Sequence, residues 1–179
     1  MRFGLAIIAA TSFACYAPAF AQADSIVALT PGQSAVLTVA GKGEARVVQR
    51  GRGEWTPHDL AAARHLVGRP IPDAPVPEAS PLPSAPASAP PPPVARDAVH
   101  LRFMSIAGRH SLLIVENGYG AALLYRARMT RDGQTRPTDV CVVLPSNRSY
   151  EHWPHPIDRL ELTDFALVPW NEGDPATCE

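Results

Sequence analysis

Along the second half of the chain, apolar and polar residues alternate with a period of two. Val99, Leu101 and Phe103 alternate with His100 and Arg102, the spacing of a half-buried strand. In Ala122–Met129, Leu123, Tyr125, Ala127 and Met129 fall on one face, and Arg126 and Arg128 fall on the other. Ser111–Glu116 is instead a continuous apolar run with a polar end, and Asn117-Gly118 after it reads as a type I′ turn. Asp132-Gly133 marks a second tight turn. Val140–Leu144 resumes a β-branched pattern that Pro145 stops. Leu160 and Leu162 alternate with Glu161, and Phe165 and Leu167 restart on a shifted phase across Thr163-Asp164, which predicts a bulge or bend.

The first half carries the same signal more faintly. Ser25–Leu29, Ala35–Val39 and Ala45–Gln49 read as strands, with a turn at Pro31-Gly32. Thr56-Pro57-His58-Asp59 starts a short helix running through His65, with Thr56 as N-cap and Pro57 at the first helical position. Regular short strands separated by turn chemistry predict an all-β fold. The expected architecture is an antiparallel, immunoglobulin-like β-sandwich with a short helix and a long Pro-rich insertion. That likeness is one of fold class alone, and fold class does not give function.

Two segments break the pattern. In residues 1–21, Arg2 precedes the apolar run Phe3–Ala10, and Ala19-Phe20-Ala21 is a small-x-small site before Gln22, so the segment reads as a signal peptide. Its apolar stretch is too short to span a bilayer, and no transmembrane helix is expected in the mature chain. Residues 70–93 hold more than half of the 20 prolines, interleaved with Ala and Ser, and read as an extended, solvated linker or loop. It separates an N-terminal β segment, 22–69, from a C-terminal sandwich core, 94–179. The N-terminal segment is short and without cysteine, so its strands are expected to pair into the same sandwich rather than fold alone.

Composition narrows the chemistry. The hydrophobic fraction of 46% is that of a globular chain, and a net charge of −1 provides no field to attract nucleic acid or an anionic membrane. With Cys15 inside the signal, only Cys141 and Cys178 remain. In an oxidising compartment such a pair reads as one disulfide, worth roughly 3–4 kcal/mol for a loop of this length. Gly41-Lys42-Gly43 and Gly51-Arg52-Gly53 lack the spacing of phosphate loops, so no nucleotide or other cofactor is expected. His110 and Ser111 are neighbours whose side chains point to opposite faces of a strand, a poor nucleophile–base pair.

The densest set of reactive side chains is Tyr150-Glu151-His152-Trp153-Pro154-His155-Pro156. Its prolines forbid a helix, so the segment reads as a stiff connection that plugs the sandwich end with Trp153 while its histidines face water. An exposed Tyr150/Trp153 pair would instead offer aromatic faces to a sugar or peptide. His152 and His155, with Glu151, are the candidate metal ligands for Cu or Zn. Arg126 and Arg128 can meet an acidic partner or pair with Glu161 across a sheet. The expectation is therefore an exported protein, periplasmic or secreted, that binds an envelope protein or glycan without catalysis. The alternative is a periplasmic metal-binding protein using the His152/His155 loop.

Overall fold

The computed structural model describes residues 26–40, 44–68 and 91–178; the expected signal peptide and most of the proline tract lie outside them. The described residues form nine strands and one helix, arranged as two antiparallel sheets packed face to face. β1 (Ile26–Leu29), β9 (Arg159–Val168), β6 (Ala122–Arg131) and β7 (Gln134–Thr138) make one sheet, in that order. β3 (Glu44–Arg52), β2 (Gln33–Ala40), β4 (Val99–Ile106), β5 (His110–Asn117) and β8 (Arg148–Trp153) make the other. The chain is an all-β sandwich.

Alternation along the strands builds the core between the sheets. Leu101 and Phe103 from β4, Leu113 and Val115 from β5, Leu123 and Ala127 from β6, and Leu160 and Leu162 from β9 meet there. The N-terminal strands enter both layers, since β1 pairs with β9 and β2 pairs with β4. Each fully buried Leu, Ile or Phe contributes about 1.5–3 kcal/mol of transfer free energy, so these inner faces dominate the stability.

β5 is buried along its whole length because both its faces are covered. Its inner face meets the other sheet, and its outer face lies under α1 (Pro57–Val67). Ala63 and Val67 of the helix pack on Met104, Ile106, Leu112 and Ile114 in a second apolar cluster. A strand covered on both faces needs no polar alternation, which is why the Ser111–Glu116 run is continuous. The helix begins as its sequence predicts: Thr56 and Asp59 form a reciprocal capping box, with Pro57 in the first turn.

Several expectations change. Asn117-Gly118 is no hairpin turn, because β5 and β6 belong to different sheets. Asn117 is fully buried and its amide donates to the carbonyls of Ala121, Val143 and Leu144. Gly118 passes so close to the Ala95 and Ala98 carbonyls that a Cβ has no room. The hairpin joining β4 to β5 is the three-residue loop Ala107-Gly108-Arg109, with positive φ at Ala107 and Gly108, a conformation seldom signalled by alanine. Val140–Leu144 forms isolated bridges to Leu123 and Cys178 rather than a strand. β7, short, polar and carrying Pro137, gave no strand signal, yet it pairs with β6 as a sheet edge, where proline is tolerated. The predicted bulge is present: between Leu124 and Arg126 the register against β9 shifts, and Asp164 has a positive φ.

Candidate functional site

The two outer faces of the sandwich differ. On the five-stranded sheet α1 covers β4, β5 and β8, with polar side chains completing that contact, while the outer faces of β2 and β3 stay exposed. Asp59, fully buried in the first turn of the helix, accepts from the Thr56 hydroxyl at 2.6 Å, Arg102 Nη1 at 2.6 Å and the Tyr150 hydroxyl at 2.9 Å. Arg102 Nη2 also bonds Glu116 at 2.6 Å, and Glu116 accepts from Arg148 Nη2 at 2.7 Å. Arg148 Nη2 reaches the Pro92 carbonyl as well, tying the chain that leads into β4 to the same cluster. Two guanidiniums and two carboxylates balance, as burial demands.

Burial by itself would raise the Asp59 pKa, but the Thr56 hydrogen bond, the Arg102 charge and the Tyr150 hydrogen bond outweigh it and hold the carboxyl below its ordinary range. Burial and the adjacent Asp59 carboxylate push the Tyr150 phenol well up. The cluster is a polar lock between helix and sheet.

β8 distributes the expected Tyr150–Trp153 set to opposite faces, because this segment is a strand and not a loop. Tyr150 points outward under the helix. Trp153 is 6% exposed in the core, where its indole N–H donates to Thr138 Oγ1 at 2.8 Å. The pair therefore presents no common exposed surface. Glu151 faces inward, accepting the Cys141 N–H at 3.1 Å; burial raises its pKa against the pull of that hydrogen bond. Glu151 is thus separated from His152, whose partner is His110 at the start of β5, Nδ1 to Nε2 3.1 Å. His155, just beyond β8, keeps a buried Nε2 without a hydrogen-bond partner. Among the described residues, no group of three or more His, Cys, Asp or Glu side chains is arranged to hold a metal ion. Ser111, on the inner face, accepts the Ile157 N–H at 2.9 Å and is turned away from His110.

The outer face of the four-stranded sheet is left open. A groove of about 880 Å³ runs over it, lined by Arg126 and Arg128 of β6, Glu161 and Thr163 of β9, and Ile26 of β1. Arg136 and Asp139, from β7 and the turn after it, close one side, and the bulge residue Asp164 also lines it. Arg128 lies directly opposite Glu161 in the register, but the ion pair of Glu161 is with Arg159 on its own strand at 3.1 Å. Among the described residues no carboxylate pairs with Arg128. The groove carries both guanidiniums and carboxylates over the β6 backbone, whose Ala127 and Met129 side chains point away into the core.

The sequence pattern placed Arg126 and Arg128 together on one exposed face. It did not reveal that Asp59, Arg102, Glu116 and Arg148 converge. The capping box was the one local signal for Asp59, and the three others come from strands far apart in sequence. Cys141 and Cys178 stand at disulfide-bonding distance with Cα atoms 3.9 Å apart, fastening the C-terminal segment beside Val140–Val143. No helix among the described residues is long and apolar enough to cross a membrane. Comparison with known proteins yields no match to a protein family, a curated protein or a solved structure.

Proposed function

We propose that this protein is an exported, non-enzymatic binding module of the bacterial cell envelope. It takes a carboxylate-bearing partner, protein or glycan, in the groove over β1, β9, β6 and β7. The observation that carries the reading is the asymmetry of the sandwich. One outer face is covered over β4, β5 and β8 by a helix and a buried ionic lock, whereas the other carries an open groove in which Arg128 has no ion-pair partner among the described residues. Guanidinium groups are suited to carboxylates, which they bind through two parallel hydrogen bonds. The interleaved Glu161, Asp139 and Asp164 would reject purely anionic polymers and favour a ligand of mixed charge, which makes the groove selective.

The test is co-sedimentation and titration of the protein with purified envelope fractions, namely peptidoglycan and membrane-protein extracts, at low and high salt. Binding should be saturable, weaken as salt rises, and be lost in Arg126→Glu with Arg128→Glu while the melting temperature stays unchanged. Saturable binding that is indifferent to both substitutions would remove the groove as the site.

A further inference from the structure

We infer that His110 and His152 form a two-imidazole chelate for a divalent transition metal at the edge of the five-stranded sheet, a site separate from the groove. His110 opens β5 and His152 lies in the edge strand β8, where it pairs with Leu112. Residues 110 and 112 share a face, so the two imidazoles meet diagonally on the outer surface. Their rings are nearly parallel, 18° between planes and 5.2 Å between centroids, and Nδ1 of one faces Nε2 of the other at 3.1 Å.

In the metal-free protein this contact is an N–H···N hydrogen bond, and at the same spacing an ion can take the place of its proton. With metal–nitrogen bonds of about 2.0–2.1 Å, donors this far apart subtend roughly 98° at the metal, between square-planar and tetrahedral angles. No strand has to move to accept the ion, because both histidines are carried on a hydrogen-bonded ladder. Ligand softness narrows the ion to Zn(II), Cu(II) or Ni(II), the cations that imidazole suits. The edge position of β8 leaves His152 half-buried and open to approach, whereas His110 is nearly sealed.

A metal competes with protons for the two imidazoles. Burial lowers the pKa of both rings, helped by Arg109 at His110 and by His110 and His155 at His152. His155 feels Arg131, Arg136 and His110 besides its own burial. Glu151 takes no part, since it faces the core.

The experiment is equilibrium dialysis of the tag-free protein against Zn(II) and Ni(II) chloride at pH 7.5, with metal analysis. One equivalent should bind; His152→Ala and His110→Ala should each weaken it at least tenfold, and His100→Ala should change nothing. Because His110 is buried and its replacement can impair folding, long-range proton–nitrogen spectra of the unaltered protein provide a second readout. Zn(II) should shift His110 Nδ1 and His152 Nε2 together to metal-bound values. Absence of stoichiometric binding, binding that survives His152→Ala, or zinc shifts on other histidines alone would each overturn the proposal.

Discussion

Replacing Asp59 by alanine tests the lock between helix and sheet most directly. The side chain is fully buried, and its loss removes the Arg102 ion pair, the Tyr150 hydrogen bond and the half of the capping box that reaches back to the Thr56 N–H. Breaking a buried pair from one side costs about 3–5 kcal/mol. Here Arg102 keeps Glu116 at 2.6 Å and the Glu54 carbonyl at 2.9 Å, which places the charge contribution at the low end. A stranded Tyr150 hydroxyl adds about 1 kcal/mol or more if no water reaches it. The Thr56 side chain still accepts the N–H of residue 59, so capping contributes little to the loss. The expected destabilisation is about 4 kcal/mol, a large share of the roughly 5–15 kcal/mol of a typical domain.

Urea unfolding followed by circular dichroism at pH 7 should show a lower midpoint with an unchanged slope. Tyr150→Phe should be milder, and the double variant should show a coupling of about 1 kcal/mol, because the two groups touch. The penalty also depends on pH in a fixed direction. The folded pKa of Asp59 lies below its unfolded value, so its contribution is complete above the unfolded pKa and is lost as pH falls through the folded one. In acid, the difference between Asp59→Ala and the parent should therefore shrink. A loss below about 1 kcal/mol at pH 7, or strict additivity with Tyr150→Phe, would refute the account of the lock.

Other outcomes follow from separate parts of the fold. The folded pKa values of His110, His152 and His155 are depressed, so in metal-free protein stability should be constant above their unfolded pKa of about 6.5 and should fall as pH drops from there through the folded values; melting temperatures between pH 8 and 5 measure this, and His152→Gln should flatten the slope. Reducing the Cys141–Cys178 pair should lower stability by roughly 3–4 kcal/mol, and mass spectrometry of non-reduced protein should find no free thiol at either position. Gly118→Ala should cost at least about 1–3 kcal/mol in thermal unfolding, because its Cβ meets two backbone carbonyls that cannot swing aside.

Sequence periodicity located most strands because their faces differ in environment. Leu123, Tyr125, Ala127 and Met129 are buried while Arg126 and Arg128 are exposed, and such a strand declares itself. β7 could not, being exposed as far as Thr138, and neither could β8, whose residues are half-buried on both faces until Trp153. The bulge at Asp164 was readable because a one-residue slip moves every later apolar residue to the other face. Asn117-Gly118 misled for an instructive reason. Its residue types are those of a tight turn, but here they serve a buried amide and a close backbone approach. The groove arginines were legible as a pair, whereas the Arg102–Glu116–Arg148 chain depends on strand order, which no local pattern encodes. Likewise, His152 was visible as a reactive side chain, but its partner His110 became apparent only with the pairing of β5 to β8.

The pairing of β1 with β9 has a kinetic consequence. The first described strand finds its neighbour in the last described one, so that sheet cannot acquire its full order until β9 has joined it. β9 also supplies the neighbour of β6, leaving a chain that ends before Arg159 with two strands lacking their central partner. Closing so long a loop comes early in entropy and late in reward, which places the chain among slow folders of high contact order. Commitment to the native state therefore waits for β9.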